Sequence, residues 1–223
     1  MRIFKFEQRS NNPIAPSWCY FIGQNSIFSL DDCEEIKSLL LMEEERILEE
    51  TKDKVKNDAG TGLGTDSVTS RYAHYNVLNW NYQFVDKLKR GLFETLNGYL
   101  SVYDNCRYDE YYIKSWFNVL RKGQSISKHH HADHPNTFLG AHLTICTEET
   151  STYYEHPFTQ ETFKIENTPG DLTLFPNWIK HWTDEYQGNY VRISVAMDIT
   201  YKEAIDSIPY YPGKELIDYC ILK

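Results

Sequence analysis

The sequence predicts an α+β fold, helices first and then a β-sandwich or jelly-roll core, from three observations. Apolar residues recur at helical spacing between Cys33 and Tyr103. From Tyr111 onward, side-chain character alternates with period two, and turn signals divide that alternating half into short strands. Helices succeeded by a run of short strands is the pattern of a helical layer segregated from an antiparallel core.

The first helix is set by Ser29, an N-cap with Asp32 three residues on in a capping-box variant; its acids favour the positive end of the helix. Cys33, Ile36, Leu40 and Ile47 then form one stripe, and Glu43, Glu44 and Glu45 are expected on the solvated side. A second helix begins after Asn79 and aligns Phe84, Leu88, Leu92, Leu96 and Tyr103. Between them, residues 51–70 (TKDKVKNDAGTGLGTDSVTS) read as a mobile, lid-like loop. Its G-x-G-x-G leads into no G-K-[ST] and comes after no strand, so a phosphate cradle is not expected there.

Strands are expected over 110–121, 139–147, 161–166, 171–175 and 190–199. The turns between them are marked by Lys122-Gly123, Thr168-Pro169-Gly170-Asp171 and Gln187-Gly188-Asn189. The whole chain, 1–223, reads as one domain: a helical N-terminal part over 1–108, a jelly-roll core over 109–200 and a tail over 201–223. The tail, IPYYPGKELIDYC, is expected to pack on the barrel as strand or loop.

Composition narrows the partners. A net charge of −9 and the lack of any basic stripe disfavour a nucleic-acid phosphate track. Five scattered cysteines without C-x-x-C spacing form neither a disulfide framework nor a zinc finger, which fits a reducing interior. With no signal-like leader and no run of 18 apolar residues, the expected setting is the cytoplasm, without membrane contact.

KHHHADHP, residues 128–135, is the densest cluster of chemistry. A histidine run alone is often just a solvated loop. Its weight comes from two groups further along the chain: His181, just past a strand and a proline turn, and Arg192-x-Ser194, on a strand eleven residues beyond. On that strand Val191, Ile193, Val195, Met197 and Ile199 make an apolar face, and Arg192, Ser194 and Ala196 face the other way. Two ligands at i and i+2 on an extended segment, closed by a distant third, make a facial triangle with open positions, as in non-haem iron(II) sites. A buried arginine there needs an anion, and its planar fork suits a carboxylate.

The stretches WFNVLRKGQSISKHHH (116–131), HPNTFLGAHLTI (134–145), GDLTLFPNWIKH (170–181) and RISVAMDI (192–199) resemble the iron(II)- and 2-oxoglutarate-dependent oxygenases, in the manner of their phage- and marine-bacterial-type branch. More loosely, TSRYAHYNVL (69–78) is similar to the lead-in segment of that branch. The resemblance spans residues 112–199. It implies a double-stranded β-helix (jelly-roll, cupin-like) core with the N-terminal helices packed on it. It also implies Fe(II), 2-oxoglutarate as cosubstrate, dioxygen, and hydroxylation of a substrate with release of succinate and carbon dioxide. If the chain is phage-encoded, the setting is the host cytoplasm.

Carried over by position, His129, six residues after Gly123, is the proximal ligand and His181 the distal one. Arg192, with Ser194, holds the cosubstrate's C5 carboxylate, and Asn118 reaches the cosubstrate from the neighbouring strand. Three registers remain for the second ligand. His129-x-His131 keeps the glycine spacing and gives a three-histidine site; His131-x-Asp133 restores a carboxylate; His130-x-Ala132 resembles halogenases. His134 and His142 are expected to support or pack rather than ligate. Two rival functions stay open: a cupin-type three-histidine oxygenase that dispenses with 2-oxoglutarate, and a non-catalytic jelly-roll binding module.

Overall fold

The computed structural model of the protein describes residues 1–55, 57–58, 60–103, 108–131, 138–207 and 218–223. Two antiparallel sheets face each other. The larger has seven strands in the order β1-β2-β7-β4-β9-β3-β10, and the smaller has three, β6-β5-β8.

The N-terminal part, expected to be helical, opens with two strands instead: β1 (Arg2–Gln8) and β2 (Trp18–Ser26). They pair antiparallel from Arg2↔Gln24 to Gln8↔Trp18, and β2 continues onto β7 through Gly23↔Leu174. Phe4 and Phe6, two apart and so on one side of β1, pack on Phe163, and Phe6 stacks on Tyr20 at 4.9 Å. The alternation of Phe4 and Phe6 with Lys5 and Glu7 is a short period-two signal, whereas the pairing of β2 with β7 joins segments far apart in the chain.

Helix α1 (Leu30–Glu50) starts as expected, with the reciprocal capping box of Ser29 and Asp32 complete. Its stripe of Cys33, Ile36, Leu40 and Ile47 is buried. The acidic run is split: Glu45 is exposed as expected, but Glu43 and Glu44 are buried. Glu44 accepts both ends of the Arg121 guanidinium, at 3.0 and 2.9 Å, and Glu43 accepts from Tyr82 at 2.6 Å and from Arg46. A helical face turns 100° per residue, so Glu43 and Glu44 flank the seam between Leu40 and Ile47, where partners neutralise them. Helix α2 (Gln83–Leu100) buries Leu88, Leu92 and Leu96; Tyr103 lies beyond its end, against Phe21.

The expected strands appear as β3 (Tyr111–Leu120), β4 (Leu139–Cys146), β6 (Thr162–Glu166), β7 (Asp171–Pro176) and β9 (Arg192–Tyr201). Three more complete the sheets: β5 (Ser151–Glu155), β8 (His181–Thr183) and β10 (Cys220–Leu222). A short helix, α3 (Lys202–Ser207), comes directly after β9. The tail's end pairs with β3 through Cys220↔Ile113, while residues 208–217 lie outside the described part. At the Thr168–Asp171 turn Gly170 takes φ +89° and lies against the Phe28 carbonyl, where a side chain would collide.

The period-two alternation sorts the larger sheet into two faces. Phe117, Val119, Leu143, Leu172, Leu174, Ile193, Val195 and Met197 point to the helices and form the main core with Ile36, Leu40, Leu88 and Leu92. Each of these side chains contributes about 1.5–3 kcal/mol by leaving water. The opposite face looks across to the small sheet, and there the alternation places polar groups. Among the described residues no helix is long and apolar enough to cross a membrane.

Candidate metal centre

Between the sheets lies a cleft of about 550 Å³, counting its open mouth, lined by His129, His131, His181, Arg192, Ser194 and Asn118 among others. The histidines of the first register and all three residues offered for the cosubstrate therefore open on one cavity.

The histidines come from two segments that pair with each other. His129 and His181 form an antiparallel bridge, His129 N donating to His181 O at 3.1 Å and His181 N to His129 O at 2.8 Å. Two residues on, His131 N donates to Asn177 O at 2.8 Å. Extended backbone through 129–131 thus aims both odd-numbered imidazoles the same way, toward His181. The ring centroids lie 4.4 to 5.1 Å apart, and one ligand atom from each ring falls within 4.8 Å of the others.

The outer nitrogens fix the tautomers. His129 Nδ1 donates to the Ser127 carbonyl at 2.7 Å, His181 Nδ1 to the Ile179 carbonyl at 3.1 Å, and His131 Nδ1 to the Asp198 carboxylate. Each Nε2 is then left with a bare lone pair facing the cavity. The 3.0 Å between the Nε2 atoms of His129 and His131 is consequently no hydrogen bond; two lone pairs converge there. That separation is what two bonds of about 2.1 Å at roughly a right angle subtend on one ion. Burial, and next the neighbouring His131, push the His129 pKa down to about 4; burial and the neighbouring His129 hold His181 well below its ordinary value. Both rings are neutral at pH 7, as metal ligands must be.

Of the three registers, the first is the one described in full, and its residues converge. His130 is outside the cluster, and Ala132, Asp133 and His134 lie outside the described residues. His142 is also outside it: its Nε2 bonds the Tyr154 hydroxyl at 2.7 Å across the sheets.

The other end of the cleft is built by β9 and β3. Cross-strand register sets Asn118 opposite Ser194 and Leu120 opposite Arg192. Arg192 is 2% exposed, yet its Nε and Nη1 have no hydrogen-bond partner, and no carboxylate pairs with it among the described residues. Burial lowers its pKa only to about 10, so the guanidinium stays charged. Asn118 Nδ2 donates to Ser194 Oγ at 3.3 Å, and Asn118 Oδ1 is also unpartnered. A buried cation without an anion is costly, and this one faces the cavity beside two polar side chains. The donor set fits both groups the sequence implied: three neutral nitrogens for a divalent ion, and a planar cation for a carboxylate.

Comparison with known proteins bears on the same segment. Residues 134–198 match the family described as "Putative 2OG-Fe(II) oxygenase". That segment, less than a third of the chain, is similar to the 2OG-Fe(II) oxygenases. The matched segment holds His181, Arg192 and Ser194 and begins just after His131. Among solved structures, the chain is similar in fold to a Pseudomonas putida prolyl-4-hydroxylase (TM-score 0.52, 10% identity, 81% of this chain and 92% of that one). It is likewise similar to a viral collagen prolyl hydroxylase from Paramecium Bursaria Chlorella virus-1 in complex with 2OG (TM-score 0.53, 11% identity, 81% and 96%). A third is SnoK, an alpha ketoglutarate dependent carbocyclase from nogalamycin biosynthesis (TM-score 0.53, 10% identity, 81% and 79%). At these identities the likeness is one of fold. No curated protein matches the chain in sequence.

Sequence reasoning missed several groups around the candidate site. Asp198 continues the inward alternation of Arg192, Ser194 and Ala196, one step further along β9. Trp116 stacks on His131 at 5.8 Å, and Thr152 and Thr183 bring the small sheet to the cavity. The 51–70 loop, expected to be mobile, is tied down at Thr61, whose carbonyl accepts Ser127 N at 3.0 Å beside the cleft.

Proposed function

We propose that His129, His131 and His181 hold Fe(II) through Nε2, and that Arg192, with Ser194 and Asn118, takes the C5 carboxylate of 2-oxoglutarate. The reaction proposed is hydroxylation of a substrate C–H bond. The observation that carries this reading is one cavity holding three converging imidazole lone pairs at one end and a buried, unpartnered guanidinium at the other.

With both bound, the iron and its cosubstrate supply the oxidising power, consuming dioxygen and releasing succinate and carbon dioxide. The chain's own residues position and exclude. The two carbonyls and the Asp198 carboxylate hold the rings in the ligating tautomer. Arg192 fixes one end of a dicarboxylate, which sets the direction of the other. Phe175, 4.6 Å from the His181 ring, and Trp116, beside His131, present apolar walls that keep water from the reacting end. Thr61 stands at the mouth.

The test is an ordered calorimetric titration under anaerobic conditions, Mn(II) first and then 2-oxoglutarate, with a succinate assay with Fe(II) in air as the last step. Expected are metal binding lost in His129→Ala and His181→Ala, and 2-oxoglutarate binding lost in Arg192→Ala with metal binding kept. Oxygen uptake without succinate would instead favour the three-histidine enzyme that dispenses with 2-oxoglutarate.

A further inference from the structure

We infer that Asp198 is a positioning residue for the histidine site: it holds the His131 ring and supplies, one hydrogen bond out, the negative charge that three neutral imidazoles lack. This rests on the three-histidine reading above.

The inward face of β9 runs Arg192, Ser194, Ala196, Asp198. Register puts Asp198 opposite Gly140 on β4 and Lys114 on β3. Lys114, the cation best placed to claim that carboxylate, donates to the Tyr75 carbonyl at 2.7 Å instead. Among the described residues no lysine or arginine makes an ion pair with Asp198; its partner is His131 Nδ1. The Asp198 side chain is 42% exposed, so burial does not force this bond. The three rings are supported unequally: His129 and His181 lean on neutral backbone carbonyls, and His131 on a carboxylate.

The chemistry gives that asymmetry a consequence. An imidazole whose Nδ1–H donates to a carboxylate is a stronger electron donor at Nε2 than one donating to a carbonyl. A divalent ion held by three imidazoles keeps two positive charges, against one for a site with two histidines and a carboxylate. Asp198 lowers the local total by one unit without occupying a coordination position. Trp116, stacked on His131 at 5.8 Å and 28° between planes, already limits how the ring turns. The carboxylate's distinct contribution is therefore charge.

The experiment measures Co(II) affinity by calorimetry and the visible absorption of the Co(II) form, on the full chain without 2-oxoglutarate. The variants are Asp198→Asn, Asp198→Glu, His131→Ala and His181→Ala, with the metal-free urea midpoint of each as the control for folding. Asp198→Asn is expected to bind Co(II) about 10–100-fold more weakly and to shift the Co(II) spectrum, and Asp198→Glu to recover most of both. Should Asp198→Asn fold poorly, Asp198→Ser takes its place: a Co(II) affinity and spectrum equal to the parent's without the carboxylate overturn the inference. If Asp198→Asn binds as tightly as the parent with an unchanged spectrum while both histidine variants lose affinity, Asp198 is a bystander and the triad stands. If neither histidine variant loses affinity, the triad reading itself falls.

Discussion

At the scale of single residues, Arg192 shows what a site costs the protein that carries it. A charged group at 2% exposure with two unpartnered nitrogens forfeits hydration and, among the described residues, gets no ion pair in return. Replacing such a group with an apolar side chain of similar length is commonly neutral or stabilising by about 1–4 kcal/mol. Arg192→Met is therefore expected to raise the ligand-free urea midpoint while abolishing 2-oxoglutarate binding. Equilibrium unfolding and calorimetry on the one variant check both halves, and a lowered midpoint would mean that Arg192 is a structural group. This residue was legible because period two fixes its face: with Val191 and Ile193 in the core, Arg192 and Ser194 must look the other way. The same logic reaches Asp198 two steps past Ala196, but nothing local says that a carboxylate there meets an imidazole 67 positions earlier. Glu44 was misplaced for the complementary reason. Its partner, Arg121, is 77 positions away, and an acid with no visible partner reads as solvated.

At the scale of elements, strand register carries the site. β4 sets Gly140 beside Phe175 of β7, and the ring of Phe175 lies so close that a Cβ on residue 140 would stand 2.7 Å from it. Phe175 in turn packs on the His181 ring, centroid to centroid at 4.6 Å. Glycine at 140 is thus needed for space. Gly140→Ala is expected to push Phe175 toward His181, costing about 1–3 kcal/mol of stability by overpacking. Mn(II) affinity should fall with it, although residue 140 touches no metal ligand. Paired unfolding and metal-binding measurements distinguish this from a plain packing defect, which would leave affinity intact. The strands of the alternating half were legible element by element, since each has its own period and its own turn. β8 was not: at three residues it is too short to show a period, and it exists because it pairs with β5. β2 escaped for a related reason, since it pairs with β7 through Gly23↔Leu174, across most of the chain.

At the scale of the whole molecule, the proposed ligands straddle the two sheets. His181 begins β8 of the small sheet and His129 is bridged to it, whereas His131 is tied through Asp198 to β9 of the large one. The small sheet has three short strands and shares only a modest aromatic and aliphatic cluster, around Tyr154, Ile165, Phe175 and Ile179. The large sheet is backed by two helices and the main core. Without metal, the small sheet and the 127–131 segment should be the first part to open, because few buried contacts hold them. An ion gripped by rings from both sides closes that gap. At a hundred times its dissociation constant, a ligand that binds only the closed form stabilises it by about 2.7 kcal/mol. Hydrogen exchange with and without Mn(II) should show this locally: amides of His129, His181 and β5 slow about a hundredfold, while those of α1 and α2 change little. Equal slowing everywhere would mean that the molecule opens only as a unit. No slowing at His129 and His181 would mean that the two sheets are not joined through these rings.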